Sequence, residues 1–187
     1  MSRHLLEIVT FNLQSAIDAA AAGADRVEIC ENYLEGGTTP SLGTVAMLKE
    51  QVRIPVFPMI RPRGGDFLYN NAEINAMRHD IEAFKGLRCE GVVLGCLRSD
   101  GSVDVALLEE LVRMASPMEV TFHRAFDRTP DQAKALEDII KCGCKRILTS
   151  GGKPFADQGV DNISELVKLA GHRISLVAGG GVNSDNI

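Results

Sequence analysis

No stretch of this chain stays apolar for anything near the roughly 18 residues that a membrane-spanning helix requires, so no membrane partner is expected. No run is rich in lysine or arginine, and the net charge is −5, which gives nucleic acid nothing to hold on to. The N-terminus passes from Met1-Ser-Arg-His-Leu-Leu straight into a strand pattern, without the features of a signal peptide. The five cysteines (30, 89, 96, 142 and 144) are odd in number and fit no zinc ribbon or disulfide framework. Reduced thiols point to the cytoplasm. Cys142-Gly-Cys144 has the spacing of a soft-metal pair, but it also lies where a helix should end, and it reads as a helix C-terminus capped by Gly143. A Gly-x-Gly-x-x-Gly turn after the first strand is also missing. Thr10-Phe-Asn12 stands there instead, which argues against an open, doubly wound dinucleotide fold.

What the chain does have is a repeat. Of its 187 residues, 45% are hydrophobic and 24% charged, enough for one domain with a substantial core. Short β-branched strands are expected at Leu5–Val9, Arg26–Cys30, Val56–Ile60, Gly91–Gly95, Glu119–His123, Arg146–Ser150 and Ile174–Ala178. Helical patterns fill the intervals at Leu13–Ala22, Leu42–Gln51, Asn71–Gly86, Val105–Ala115, Pro130–Cys142 and Ile163–Ala170. Unbroken alternation of this kind predicts an α/β fold with a parallel sheet, and it favours the TIM-type (β/α) barrel. A full barrel runs to roughly 250 residues. The pattern stops at Asn183-Ser-Asp-Asn-Ile187, which reads as the opening of a seventh helix. The expectation is therefore a single TIM-barrel-like domain over residues 1–187, C-terminally truncated, with seven strands and the eighth missing from this chain.

In such a fold the functional face is the C-terminal end of the strands. Strand two brings Glu28 and Cys30 to one face by period-two alternation. A glutamate in the middle of a parallel strand should face inward, where polar groups can meet. Strand three runs into Met59-Ile-Arg-Pro-Arg-Gly-Gly-Asp-Phe67. Here Arg61 and Arg63 offer planar forks of donors suited to carboxylate or phosphate, Gly64 and Gly65 let backbone come close, and Asp66 follows. The plainer reading is a turn whose arginines pair with structural carboxylates. Strand five gives Thr121 and His123, then Arg124 and Asp127; a carboxylate partner would raise the titration of His123. The remaining histidines, 4, 79 and 172, lie at helix or terminal positions. Tyr33, Tyr69 and Phe67 are expected to pack on loops. Strand six gives Thr149-Ser150-Gly151-Gly152. Strand seven ends in Gly179-Gly180-Gly181, with Asn183 and Ser184 as candidate helix N-caps. A glycine run of this kind opening into a helix has the form of a barrel phosphate cradle, or else of a tight turn.

These segments resemble the CutC family, which is named for copper homeostasis. The resemblance rests on Gly23-Ala-Asp-Arg-Val-Glu-Ile-Cys30, Gly36-Gly-Thr-Thr-Pro-Ser41, the Met59–Phe67 run, Thr121-Phe-His-Arg-Ala-Phe-Asp127, Leu148-Thr-Ser-Gly151 and Gly179-Gly-Gly181, in that order and across essentially the whole chain. It implies one TIM-barrel-like domain, cytoplasmic and a homo-oligomer, that binds or handles copper. Cu(I) prefers thiolate or thioether ligands. Cys30 matches the family cysteine at the end of strand two. Where some members carry another cysteine at the end of strand one, this chain has Val9, with Cys96 as a possible substitute.

Three readings follow. The first is a CutC-type copper homeostasis protein whose metal ligand is Cys30. The second is an isomerase- or lyase-type enzyme acting on a phosphorylated or carboxylated metabolite. Its anion site would comprise Arg61, Arg63, Arg124, Ser150, Gly151, Gly180 and Gly181, with Glu28, His123, Asp66 and Asp127 as acid, base and orienting groups. The third is a non-catalytic scaffold. Copper needs a second soft ligand near Cys30, whereas the enzyme needs acid–base groups beside an anion site.

Overall fold

The computed structural model describes residues 4–187. Seven strands alternate with six α-helices: β1 (Glu7–Thr10), α1 (Leu13–Ala21), β2 (Arg26–Ile29), α2 (Leu42–Gln51), β3 (Val56–Pro58), α3 (Asn71–Gly86), β4 (Gly91–Leu94), α4 (Val105–Ala115), β5 (Glu119–Phe122), α5 (Gln132–Cys142), β6 (Arg146–Thr149), α6 (Val160–Ala170) and β7 (Ser175–Ala178). The sheets run in the orders β1-β2-β3 and β4-β5-β6-β7. This is the parallel βα repeat of a TIM-type barrel, and the barrel is not closed among the described residues. No helix among them is long and apolar enough to cross a membrane.

The chain forms two compact units. The first comprises Met1–Asp66, Asn70–Val93 and Met114–Glu119. Its strands pair in parallel register, Val9 opposite Glu28 and Ile29 opposite Pro58, and the register continues beyond β3 in a parallel bridge from Met59 to Val93. Arg26 closes an ion pair with Glu7 across β1 and β2. The second unit comprises Phe67–Tyr69, Leu94–Arg113 and Val120–Ile187. In it, Thr121 of β5 pairs with Arg146 of β6, and Thr149 with Ala178 of β7.

Helix ends follow local chemistry. Asn12, Ser41 and Asp131 cap α1, α2 and α5 by accepting backbone N–H groups through their side chains. Gly143, at a φ of 92°, closes α5 as expected, so Cys142-Gly-Cys144 is a helix terminus. At α3, Asn70 and Glu73 form a reciprocal capping box, and Glu73 also accepts from Arg63. Asn70→Ala is expected to cost about 1 kcal/mol in urea denaturation, since Asn70 satisfies the first-turn donors of the longest helix.

Several expected boundaries shift: β3 ends at Pro58 rather than Ile60, α5 begins at Gln132 rather than Pro130, and α6 begins at Val160 rather than Ile163. The first strand begins at Glu7 rather than Leu5, and Leu5 and Leu6 are both exposed. The expected seventh helix is a turn. Asn183 accepts from Asp185 N at 2.9 Å as an N-cap would, but Asn183 and Asn186 both turn their amides back onto the Gly181 carbonyl, and no helix is present through Ile187.

Candidate functional site

In the first unit, the end of β2 carries the Glu28–Cys30 pair. Residues two apart share a face of a strand, and the Cys30 thiol donates to Glu28 Oε1 at 3.4 Å. Both side chains are buried. Burial, reinforced by the nearby Glu7 charge, raises the Glu28 carboxyl from 4.5 to about 8. Burial and the adjoining Glu28 charge likewise push the Cys30 thiol up. The pair is therefore held in its protonated forms near neutrality.

Cys30 belongs to an apolar cluster with Phe57, Met59 and Val93, against which Phe11 packs. Gly37 makes room for it. A Cβ there would lie 3.1 Å from Cys30 Sγ and 3.7 Å from Met59 Cε, so the ends of a thiol and a thioether side chain border one spot. The strand register brings them together, because Met59 N donates to Ile29 O at 3.0 Å and so extends the β2–β3 ladder to the Cys30–Met59 level. Met59 is not among the ligands expected from sequence. Setting the ends of strands two and three side by side reveals it.

Arg61 and Arg63 are engaged by the protein itself. Arg61, buried, donates through Nη1 to the carbonyls of Glu35 and Gly37 at 2.6 and 2.9 Å, and through Nη2 to Gly65 O at 3.1 Å. Its guanidinium binds the loop after β2 to the glycine turn after β3. Arg63 donates through Nε to Glu73 at 2.6 Å and through Nη2 to Asp66 at 2.9 Å. Asp66 itself is exposed. These geometries correspond to the plainer alternative considered for the motif, arginines turned onto structural acceptors.

The second unit gathers a different set. His123 follows β5, is buried, and lies against the Phe67 ring at a centroid distance of 4.8 Å. Its Nδ1 accepts from Ala125 N at 3.2 Å, which leaves Nε2 as the proton-bearing nitrogen. Gly95 gives the ring its place, since a Cβ there would come within 2.5 Å of it.

Asp127 is nearly enclosed, with its side chain 6% exposed, and it organises the ends of β5 and β6. Its carboxylate accepts from Thr149 Oγ1 at 2.5 Å, Arg124 Nε at 2.8 Å, Ser150 N at 3.1 Å and Gly152 N at 3.1 Å. Burial alone would raise its titration, but these donors outweigh burial and hold the carboxyl below its ordinary value. The turn after β6, where Ser150 and Gly151 were expected to bind an anion, thus receives at Ser150 N and Gly152 N a carboxylate that belongs to the chain. Arg124 continues the network, donating from Nη2 to Ser150 Oγ at 2.6 Å and to Lys153 O at 3.2 Å. It also lies against the β7 loop, where a Cβ on Gly180 would sit 2.9 Å from Arg124 Nη1.

Two groups of the expected residues are thus brought together: Glu28 with Cys30 in one unit, and Arg124, Asp127, Ser150 and Gly180 in the other. Gly151 N donates to Thr149 Oγ1 at 2.9 Å, and Gly181 O accepts from Asn183 and Asn186. Cys96 belongs to the second unit, where its thiol donates to Asp104 O at 3.7 Å. Among the described residues no three His, Cys, Asp or Glu side chains are placed to hold a metal ion, so any metal held here would need fewer or softer ligands.

Comparison with known proteins gives these residues a context. The CutC family model matches residues 4–187. The chain is 48% identical to the family protein CutC of Chromobacterium violaceum over 98% of its own length and 74% of that protein's. It is also 48% identical to the family protein CutC of Parabacteroides distasonis, over 99% of this chain and 76% of that one. Among solved structures, it aligns with CutC of Streptococcus agalactiae, whose name refers to copper homeostasis, at a TM-score of 0.92 and 35% identity, covering 98% of this chain and 90% of that chain. The aldolase QR15 aligns at a TM-score of 0.70 and 14% identity, over 96% of this chain and 80% of that chain, a likeness of fold alone. The chain belongs to the CutC family.

Proposed function

We propose that this protein handles copper as Cu(I), with Cys30 as the principal ligand and Met59 as the second. The observation that carries the reading is the meeting of the Cys30 and Met59 side-chain ends around Gly37, inside one apolar cluster. Cu(I) favours thiolate and thioether sulfur, and this spot is bordered by the Cys30 sulfur and by the methyl end of the Met59 thioether. When the ion binds, the Cys30 S–H bond gives way to a Cu–S bond and the proton leaves for solvent. With Glu28 still protonated, the new Cu(I)–thiolate pair adds no net charge to the buried site. Between pH 6 and 7, affinity should therefore rise about tenfold per pH unit, one proton being released per ion.

Competition against a Cu(I) chelator tests this. Cys30→Ser is expected to weaken binding by at least about 100-fold, and Met59→Leu by about 10-fold, while Cys142→Ser and Cys144→Ser leave it unchanged. Copper retained by Cys30→Ser and lost from the Cys142 or Cys144 variants would move the site to the end of α5. The family's implied cytoplasmic setting and homo-oligomeric assembly are part of the same proposal, and five buried, unbridged thiols suit a reducing compartment.

A second reading is favoured by a separate observation. A carboxyl raised to about 8 at a strand end is a proton donor poised near neutrality, as an isomerase or lyase acting on an anionic metabolite requires. In that reading Glu28 is the acid, and Arg61, Arg63 and Asp66 of the same unit shape the loop. Turnover that depends on Glu28 and is indifferent to Cys30→Ser would favour it over copper handling.

A further inference from the structure

We infer that the β7 glycine loop and Arg124 form a binding site for the phosphate group of a small metabolite. The site lies in the second unit and is independent of Cys30.

Most of the donors of Arg124 are already engaged. Its Nε is fixed on Asp127 and its Nη2 on Ser150, Lys153 and Pro154, so the plane of the guanidinium is set by Asp127, which follows β5, and by the loop after β6. Nη1 donates to no acceptor among the described residues, and Arg124 is only partly covered, its side chain 39% exposed. Nη1 lies directly against Gly180, because a Cβ on that residue would come within 2.9 Å of it. Gly180 and Gly181 have φ angles of 101° and 75°, a backbone that other residues adopt only with strain. Gly179 N closes the ladder on Thr149 O and Gly180 O accepts from Ala156 N, but the N–H groups of Gly180 and Gly181 meet no acceptor among the described residues.

One turn therefore presents two successive backbone donors and a fixed arginine donor at the C-terminal end of β7. That is the position at which barrels bind phosphate, and backbone amides of a turn are donors suited to anions. Asp127 serves as a positioning residue, since it sets the Arg124 fork and is itself saturated with donors. A flexible surface arginine would lose more freedom on binding than one already held at two of its nitrogens.

Calorimetric titration of the full chain with inorganic phosphate and glycerol phosphate, beside malonate as a carboxylate control, tests the site. Saturable phosphate binding is expected in the parent, weakened about 10- to 100-fold by Arg124→Gln and at least about 10-fold by Gly180→Ala, and unchanged by Arg173→Gln, an exposed arginine paired with Glu137. Gly180→Ala keeps every charge, so it carries the test if Arg124→Gln melts early. Cys30→Ser should leave phosphate binding intact. The inference is overturned if parent and Arg124→Gln bind phosphate equally, if the parent shows no saturation, or if malonate alone binds.

Discussion

Replacing Glu28 by Gln is expected to abolish a loss of stability that the parent chain suffers between pH 4.5 and about 8. An acid whose folded titration lies above its unfolded one binds more protons in the folded state. Stability is then full below about pH 4.5 and declines as pH rises, until the carboxyl is ionised in both states above about pH 8. The displacement corresponds to at most about 5 kcal/mol, since each unit of separation is worth about 1.4 kcal/mol. The amide is nearly isosteric, keeps an oxygen to accept from Cys30, and carries no charge to bury. Urea denaturation of both chains from pH 4 to 9 measures the effect as a difference curve, in which all other titrating groups cancel. The expected curve is flat below pH 4.5, climbs in favour of Glu28→Gln, and levels off above pH 8. A flat difference throughout would mean that water reaches Glu28 freely.

Asp127→Ala is expected to destabilise the chain by about 2–4 kcal/mol in the same assay at pH 7, because it strands the enclosed donors Thr149 and Ser150 together rather than removing one contact. Thr149 Oγ1, Ser150 N and Gly152 N would all lose their acceptor, and Arg124 would lose the carboxylate that fixes its Nε. Asp127→Asn should cost less, since one carboxamide oxygen survives, though its NH2 group would face donors. The contribution of Asp127 is present above its unfolded value near pH 3.8 and is lost on acidification, so parent and Asp127→Ala should converge as pH falls. Equal stability at pH 7 would show that solvent satisfies these donors in the variant.

The periodicity of the chain made the βα repeat legible, because parallel strands buried on both faces are short apolar runs and their helices are well punctuated. Gly143 and Asn70 mark helix ends whose chemistry is local, and local chemistry can be read from sequence. Glu28 and Cys30 were also within reach, since period-two alternation puts them on one face. The arginine run was harder. Its composition suits a ligand anion, but Arg61 is committed to carbonyls of Glu35 and Gly37, which arrive from another loop, and Arg63 to Glu73 on the following helix. Backbone acceptors leave no trace in residue identity, so composition alone cannot separate an arginine that holds a ligand from one that holds a loop. The same limit hid the capture of the Ser150 and Gly152 amides by Asp127, contacts across 23 and 25 residues. Met59 was in plain view within the motif and became a candidate ligand only through the register of β2 against β3.

The copper reading is tested most directly by X-ray absorption at the copper edge on the chain loaded with one equivalent of Cu(I). Sulfur neighbours are predicted in the parent and in a Cys142→Ser, Cys144→Ser double variant, with the sulfur shell depleted in Cys30→Ser and reduced in Met59→Leu. A shell of nitrogen and oxygen only, or a sulfur shell that survives Cys30→Ser unchanged, would contradict a copper site at the Cys30–Met59 cluster.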